Sequence, residues 1–379
     1  MDKGILMNYE LRWRGPCDMS GYGIACITYA IGLTKAGINV QLINKSMSKN
    51  LEGKGLDPFI VEELIRLQQV TLSKTAPTVQ HQVPDQIFPS KIASLNIGYT
   101  IFEMTSVPKK WVEHCNEMDQ IWTGSEYSRK AFVASGVSSK KISVIPHIID
   151  TDRYNPSVLP IKIPRKADYN FLSVFDFQDR KAWRELLTAY VQSFTAKDSV
   201  CLWLKCYQNS FETQDQLLLT IKIMQFVQSI RTTNLPRIEV CPIDLPFALM
   251  PRFYRAFDCY VSIAREGFGL PFAEAAASGL TVIGPEVGGI REFLTAENSY
   301  LVKYLGDTHI SNEMINFNPT FRGLEWASHS TEDLALKMKY VSTHVIENKE
   351  KGNKLVQDIN SLLNYEVIGA KVKTLLESK

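Results

Sequence analysis

Short apolar runs rich in β-branched residues alternate with longer stretches of helical spacing up to about residue 305, and this alternation restricts the chain more than any other feature. In the first half the strand candidates are GILMNYE, INVQLINK, TVQHQV, SLNIGYTIF, QIWTG and KISVIPH. In the second half they are YNFLSVFDF, VCLWLKCY, PRIEVCPI, CYVSIA, LTVIGP and SYLVKY. Strands alternating with helices imply parallel sheets with right-handed crossovers. Two sets of about six imply an α/β chain of two doubly wound, Rossmann-like domains.

A length of 379 residues suits two domains, each with its own core. The proline-rich stretch PHIIDTDRYNPSVLPIKIPRKADYN reads as the connection, with the hinge between Pro146 and Pro164. The expected division is residues 1–148 and 149–364. The pattern after residue 330 is purely helical, and a last helix at about 365–379 is expected to pack back on the first domain. Gly37 and Gly136 read as helix ends, Ser125 as an N-cap, and Pro108 as a first-turn residue.

A formal net charge of +2 and the lack of any Lys/Arg run argue against a nucleic-acid partner. Seven cysteines form no C-x-x-C pair, so a reducing, cytoplasmic setting is expected rather than a disulfide framework. The N-terminal MDKGILMNYELRWRG reads as a first strand rather than a leader. No run approaches the ~18 apolar residues of a membrane span, although peripheral membrane contact stays open.

The strongest motif is AREGFGLPFAEAAASGLTVIGPEVGG, residues 264–289, between two strand candidates. That position is a strand-to-helix turn at the carboxyl edge of a sheet, where open α/β sheets bind ligands. Gly267 and Gly269 let backbone approach a ligand, and Pro271 sets the first turn of a helix that Gly279 ends. The helix N-terminus suits a phosphate. Glu274, expected in the first helical turn, offers two acceptor oxygens to the adjacent hydroxyls of a ribose, and Glu266 precedes the glycine turn. Taken singly, either glutamate reads as a solvated or dipole-complementing charge; together with the glycines and the proline they make a site.

This segment resembles the signature of the retaining group 1 (family 4) glycosyltransferases of the GT-B fold, in which two glutamates are separated by seven intervening residues, as Glu266 and Glu274 are. The resemblance implies two Rossmann-like domains facing across a cleft, with the nucleotide-sugar donor held by the second and the acceptor by the first. It gives Glu274 the nucleotide ribose, Glu266 the donor sugar and phosphate, and Gly267, Phe268, Gly269 and Leu270 the backbone contacts to sugar and diphosphate.

In FLSVFDFQDRKAWRELLTAY a strand ends near Phe175 and a helix is expected to begin near Arg180 and Lys181. Two cations at that edge would face the diphosphate and stabilise its departure. The family carries such a pair there. Many members have a further basic residue where this chain has Phe175 or Asp176, which leaves the number of phosphate contacts open.

In DMSGYGIACITYAIG, Gly21 and Gly23 join the first strand to the first helix. The G-x-G-x-x-G pattern is incomplete because Cys26 takes the third place. The family has a glycine-rich loop here bordering donor sugar and acceptor. Many members also have a histidine after the fourth strand; this chain has GYTIFEMT, so Glu103 falls there and is the candidate contact to sugar or acceptor. Asp150-Thr151-Asp152 looks like a metal-binding D-x-D but lies in the linker, so it reads as a turn and no metal is expected. His147 sits at the hinge, and His81 reads as a strand-end residue.

The expected activity is transfer of a hexose from a UDP- or GDP-sugar to a saccharide, lipid or other hydroxyl acceptor, with no cofactor. The rivals are an epimerase or phosphorylase on the same architecture, a nucleotide-sugar-binding protein without catalysis, and a nicotinamide dehydrogenase.

Overall fold

The computed structural model describes residues 9–44, 56–164, 166–208 and 212–377. They form two compact units: residues up to Phe102, Val107–Asp150 and Ser361–Lys379 make the first, and Glu103–Ser106 with Thr151–Asn360 make the second.

The first unit holds a six-stranded parallel sheet of β1 (Glu10–Arg14), β2 (Asn39–Ile43), β3 (Thr78–His81), β4 (Asn96–Tyr99), β5 (Gln120–Thr123) and β6 (Ile142–Val144), in the order β2-β1-β3-β4-β5-β6. Parallel sheets are covered on both faces, and β3 and β4 are accordingly buried along their whole length. Of the expected strand GILMNYE only Tyr9 and Glu10 fall among the described residues. The strand found is ELRWR, where buried Leu11 and Trp13 alternate with three charged residues.

The helix Gly21–Lys35 follows β1, capped by Ser20, whose hydroxyl accepts from the Gly23 amide at 3.1 Å. A methyl group at Gly23 would lie 2.3 Å from the Asp18 carbonyl, so the turn requires glycine there. The helix Tyr365–Glu377 packs on Gly21–Lys35 through small residues. A methyl at Gly369 would come within 2.3 Å of Ala36 Cβ, and Gly32 faces Tyr365 Cβ. The helix ends fit local chemistry: Gly37 and Gly136 adopt positive φ, and Ser125 accepts from the Ser128 amide. Pro108 sits one position before the helix Lys109–Glu117. His81 and His147 are buried among Trp13, Tyr29 and Tyr99. Burial pushes the His147 imidazole down to about 3, so it is neutral.

The second unit holds β7 (Tyr169–Asp176), β8 (Val200–Tyr207), β9 (Arg237–Val240), β10 (Cys259–Val261), β11 (Thr281–Pro285) and β12 (Tyr300–Val302), all parallel, in the order β12-β11-β10-β7-β8-β9. Numbered within the unit, this is the doubly wound order 6-5-4-1-2-3. Its core joins Phe171, Leu202, Leu204 and Val261 of the sheet to Leu186 and Tyr190 of the helix Trp183–Ser193. An antiparallel hairpin, β13 (Tyr304–His309) with β14 (Glu325–His329), follows β12 and carries the short helix Asn312–Phe317 between its strands. The repeating strand-helix pattern gives no hint of it.

Candidate active site

The order reverses between β7 and β10, and the crevice at their carboxyl ends is where a doubly wound sheet binds ligands. Both motifs read from the sequence start there. After β7 the chain makes a 3₁₀ turn, Asp179–Lys181, passes through Ala182 in the left-handed region (φ 53°), and only then enters the helix Trp183–Ser193. Arg180 and Lys181 therefore lie in the turn, not in a helix. After β10 the loop runs to Gly269 (φ 94°), which caps the helix Leu270–Ala277 with Pro271 at its second position.

The glycine turn is held from behind. A methyl at Gly289 would sit 2.0 Å from the Gly267 carbonyl oxygen, and the Gly289 amide donates to the Glu266 carbonyl at 2.8 Å. The Phe268 side chain is fully buried and packs on Phe293, so this residue offers a ligand only its backbone.

Two cations and three carboxylates meet in front of that turn. Lys181 Nζ lies 2.6 Å from Glu266 Oε1 and 3.4 Å from Asp176 Oδ1. Arg180 reaches Glu266 at 3.3 Å, Glu103 at 3.2 Å and Asp176 at 3.8 Å. Glu103 belongs to the short segment grouped with this unit, which Thr105 fixes by donating its amide to the Glu325 carbonyl at 2.9 Å. Burial pushes the Glu103 carboxyl up and the Glu266 charge adds to it, against the pull of Arg180. Burial also acts on Asp176, but Lys181 and Arg180 outweigh it and hold that carboxyl below its usual range.

Glu274 stands apart from this cluster. It is the fifth residue of its helix, in the second turn rather than the first, so it is not a complement to the helix dipole. Tyr254 donates its phenol to Glu274 Oε2 at 2.9 Å. Burial pushes the Glu274 carboxyl up to about 7, although Tyr254, Tyr154 and Arg153 favour the charge. Tyr260, deeply buried, donates its phenol to the Val174 carbonyl at 3.3 Å; burial, then the charges of Glu266 and Glu274, push that phenol up. Gly21 and Gly23 belong to the first unit, at the N-terminus of its first helix.

Two groups of residues escaped sequence reasoning. Tyr154, Tyr254 and Arg153 surround Glu274 with nothing in their local pattern to mark them. Arg265, only 7% exposed, ties four segments together. Its guanidinium donates to the carbonyls of Ala327 (3.0 Å) and Asp179 (3.3 Å), pairs with Glu185 (3.3 Å) and covers the Trp326 ring, and its amide donates to the Arg180 carbonyl at 2.8 Å. A cation between an apolar strand and a glycine turn was the available signal. Asp150 and Thr151 lead into a turn in which Asn155 donates to the Thr151 and Asp152 carbonyls. Among the described residues no helix is long and apolar enough to cross a membrane.

Residues 227–316 match the sequence profile of the family Glycosyl transferases group 1. No curated protein sequence matches the chain significantly. Among solved structures, the chain resembles Anabaena HepE in complex with UDP and glucose (TM-score 0.67, 13% identity, 98% of this chain and 100% of that one). It also resembles sucrose-phosphate synthase from Thermosynechococcus elongatus (0.66, 13%, 98% and 98%). A third is the E. coli trehalose-6-phosphate protein bound with UDP-2-fluoro glucose (0.65, 10%, 98% and 99%). At these identities the likeness speaks for the fold, while the profile covers β9 to β13 and, within them, the glycine turn and both glutamates. The chain thus has the GT-B fold and, over residues 227–316, the sequence profile of the group 1 glycosyltransferases.

Proposed function

We propose that the chain transfers a hexose from a UDP- or GDP-sugar to a hydroxyl acceptor, saccharide or lipid-linked, with retention of anomeric configuration and without a metal or cofactor. The observation that carries this reading is the pairing of Arg180 and Lys181 with Glu266 at the switch point, in front of a turn braced by Gly289. A donor diphosphate bears about two negative charges, the number that two cations can match. It would take over these cations from the carboxylates that hold them now. Glu274 accepts from the ribose hydroxyls, and the amides of Gly267–Leu270 face sugar and phosphate. Complexes of structural neighbours with UDP and with UDP-2-fluoro glucose support the choice of donor class.

In the step itself the acceptor oxygen attacks the anomeric carbon from the face the diphosphate leaves. The bond from that carbon to the β-phosphate oxygen breaks, and the acceptor proton passes to a phosphate oxygen. Arg180 and Lys181 take the negative charge that develops on the leaving group. Glu103 contacts donor sugar or acceptor in this reading, which its 3.2 Å contact with Arg180 supports. In the first domain, Gly21 and Gly23 belong to the loop that borders the donor sugar and the acceptor.

The test is hydrolysis and transfer with a panel of UDP- and GDP-sugars, read by NMR for product and anomeric configuration. Turnover of one donor with retention is expected, and Glu103→Gln should lower both transfer and donor hydrolysis at least about tenfold. Inversion, or unchanged rates in that variant, contradicts the corresponding part of the proposal. Nucleotide binding with neither reaction would identify a donor-binding protein instead.

A further inference from the structure

A cavity of about 260 Å³ opens beyond the carboxyl ends of β7 and β8, lined by Asp176, Gln178, Tyr207, Gln208, Glu313 and Phe317, with Phe177 and Met314 at its wall. We infer that it is a saccharide subsite, and that it takes one uncharged sugar ring of the acceptor; this rests on the transferase reading above.

Size sets the first limit. Sites for drug-sized ligands run from about 300 to 1,000 Å³, so a cavity just below that range suits a single ring. Charge sets the second. The lining charges are the carboxylates of Asp176 and Glu313, which repel phosphate and carboxylate ligands and accept from hydroxyl donors. The amides of Gln178 and Gln208 supply donors and acceptors, and among the described residues neither side chain is engaged in a hydrogen bond. Phe317 is 73% exposed on the short helix inserted between β13 and β14, an aromatic face with an apolar surface for the C–H side of a sugar.

Position excludes the nucleoside. None of the lining residues is among Arg153, Tyr154 and Tyr254, the groups around Glu274. Asp176, by contrast, belongs both to the cavity and to the cation cluster, 3.4 Å from Lys181. A donor whose ribose lies at Glu274 and whose diphosphate lies at Lys181 has its base on the Glu274 side. The cavity is left for a different ring, beside the reacting end.

The test measures binding of methyl glycosides of glucose, galactose, mannose and N-acetylglucosamine by saturation-transfer NMR, with UDP and GDP titrated into the same samples. Wild type is expected to bind at least one glycoside, and Phe317→Ala and Gln208→Ala to weaken it at least tenfold, while Glu274→Gln does not. Phe317 is exposed, so its replacement leaves the core intact. Absence of glycoside binding in wild type, or binding that ignores both cavity substitutions, overturns the inference. Failure of UDP and GDP to bind would instead count against the donor reading and leave the glycoside result to stand by itself.

Discussion

The ammonium of Lys181 lies 2.6 Å from a carboxylate oxygen of Glu266, a side chain 85 residues further along the chain. The contact joins the turn after β7 to the turn after β10. Lys181 is buried and Glu266 mostly so, and removing one takes the nearest opposite charge from the other in a poorly solvated place. Lys181→Ala also leaves Glu266 and Asp176 with less positive charge between them.

Lys181→Ala is therefore expected to lower kcat/KM for the donor by about a hundredfold and to destabilise the second unit. Adding Glu266→Gln should restore part of the lost stability, with a coupling of about 1–3 kcal/mol in a double-mutant cycle, but none of the activity. Equal melting temperatures in single and double variants, or normal donor kinetics in Lys181→Ala, would contradict the assignment.

The strands were legible because a parallel sheet buries both faces of a strand and leaves a continuous apolar run; VCLWLKCY became β8 (Val200–Tyr207) residue for residue. The two turns of the candidate site were legible as loops at a sheet edge, one from a strand followed by glycines and a proline (Gly267, Gly269, Pro271), the other from a strand followed by the adjacent cations Arg180 and Lys181. Other details carried no local signal. ELRWR, with three charges in five residues, does not read as apolar, yet it is β1. The hairpin strand β13 is half-exposed to exposed along its length and has no apolar run to announce it. An alanine at φ 53° is not marked by its residue type, so the expected helix at Arg180 began three residues late. One residue of helix register moved Glu274 from first turn to second. Partners such as Tyr254 and Arg265 are set by tertiary packing alone.

Glu274 sets a pH dependence. Its carboxyl titrates near 7 when folded and near 4.5 when unfolded, so the native state holds the extra proton in that window. Its contribution to stability is fully present below about 4.5 and is lost as pH rises through about 7. Wild type should thus show a fall in stability from pH 5 to 8 that Glu274→Gln lacks. In the proposed arrangement the ribose hydroxyls donate to the ionised form, so UDP or GDP binding at pH 7 should release protons, measured by calorimetry in buffers of different ionisation enthalpy. A release of the same size in Glu274→Gln would remove this residue from the nucleotide site. Tyr254→Phe, which takes away the phenol donor at Oε2, should raise the midpoint and weaken binding several-fold at pH 7.

Arg265 is a positioning residue. Its guanidinium holds the Asp179 and Ala327 carbonyls and the Glu185 carboxylate, and it makes no direct contact with the donor in the proposed arrangement. Arg265→Met retains the apolar stem over Trp326 but leaves two backbone acceptors without this donor and the half-exposed Glu185 carboxylate without its cation, at a cost of about 1–3 kcal/mol. The expected signature is a lower melting temperature and a fall in kcat, with nucleotide affinity changed less than in Glu274→Gln. A variant as stable and active as wild type would show that the four segments hold their places without it.

Gly289 gives the sharpest steric test. Its amide holds the Glu266 carbonyl at 2.8 Å, and a Cβ there would stand 2.0 Å from the Gly267 carbonyl oxygen and 2.6 Å from the Phe268 nitrogen. Those contacts are with backbone, which cannot rotate away as a side-chain tip can, so Gly289→Ala must push the whole turn out of place. The displaced atoms carry the amides proposed to meet sugar and phosphate, and positioning errors near 1 Å cost about a hundredfold in rate. Gly289→Ala should therefore abolish measurable transfer and weaken nucleotide-sugar binding at least tenfold. Gly352→Ala serves as the control, because the atoms nearest the position its Cβ would take lie 3.5 Å away, an ordinary van der Waals contact, and it is no part of the proposed site. If Gly289→Ala binds and turns over donor like wild type, the backbone of Gly267–Leu270 is not what holds the sugar nucleotide.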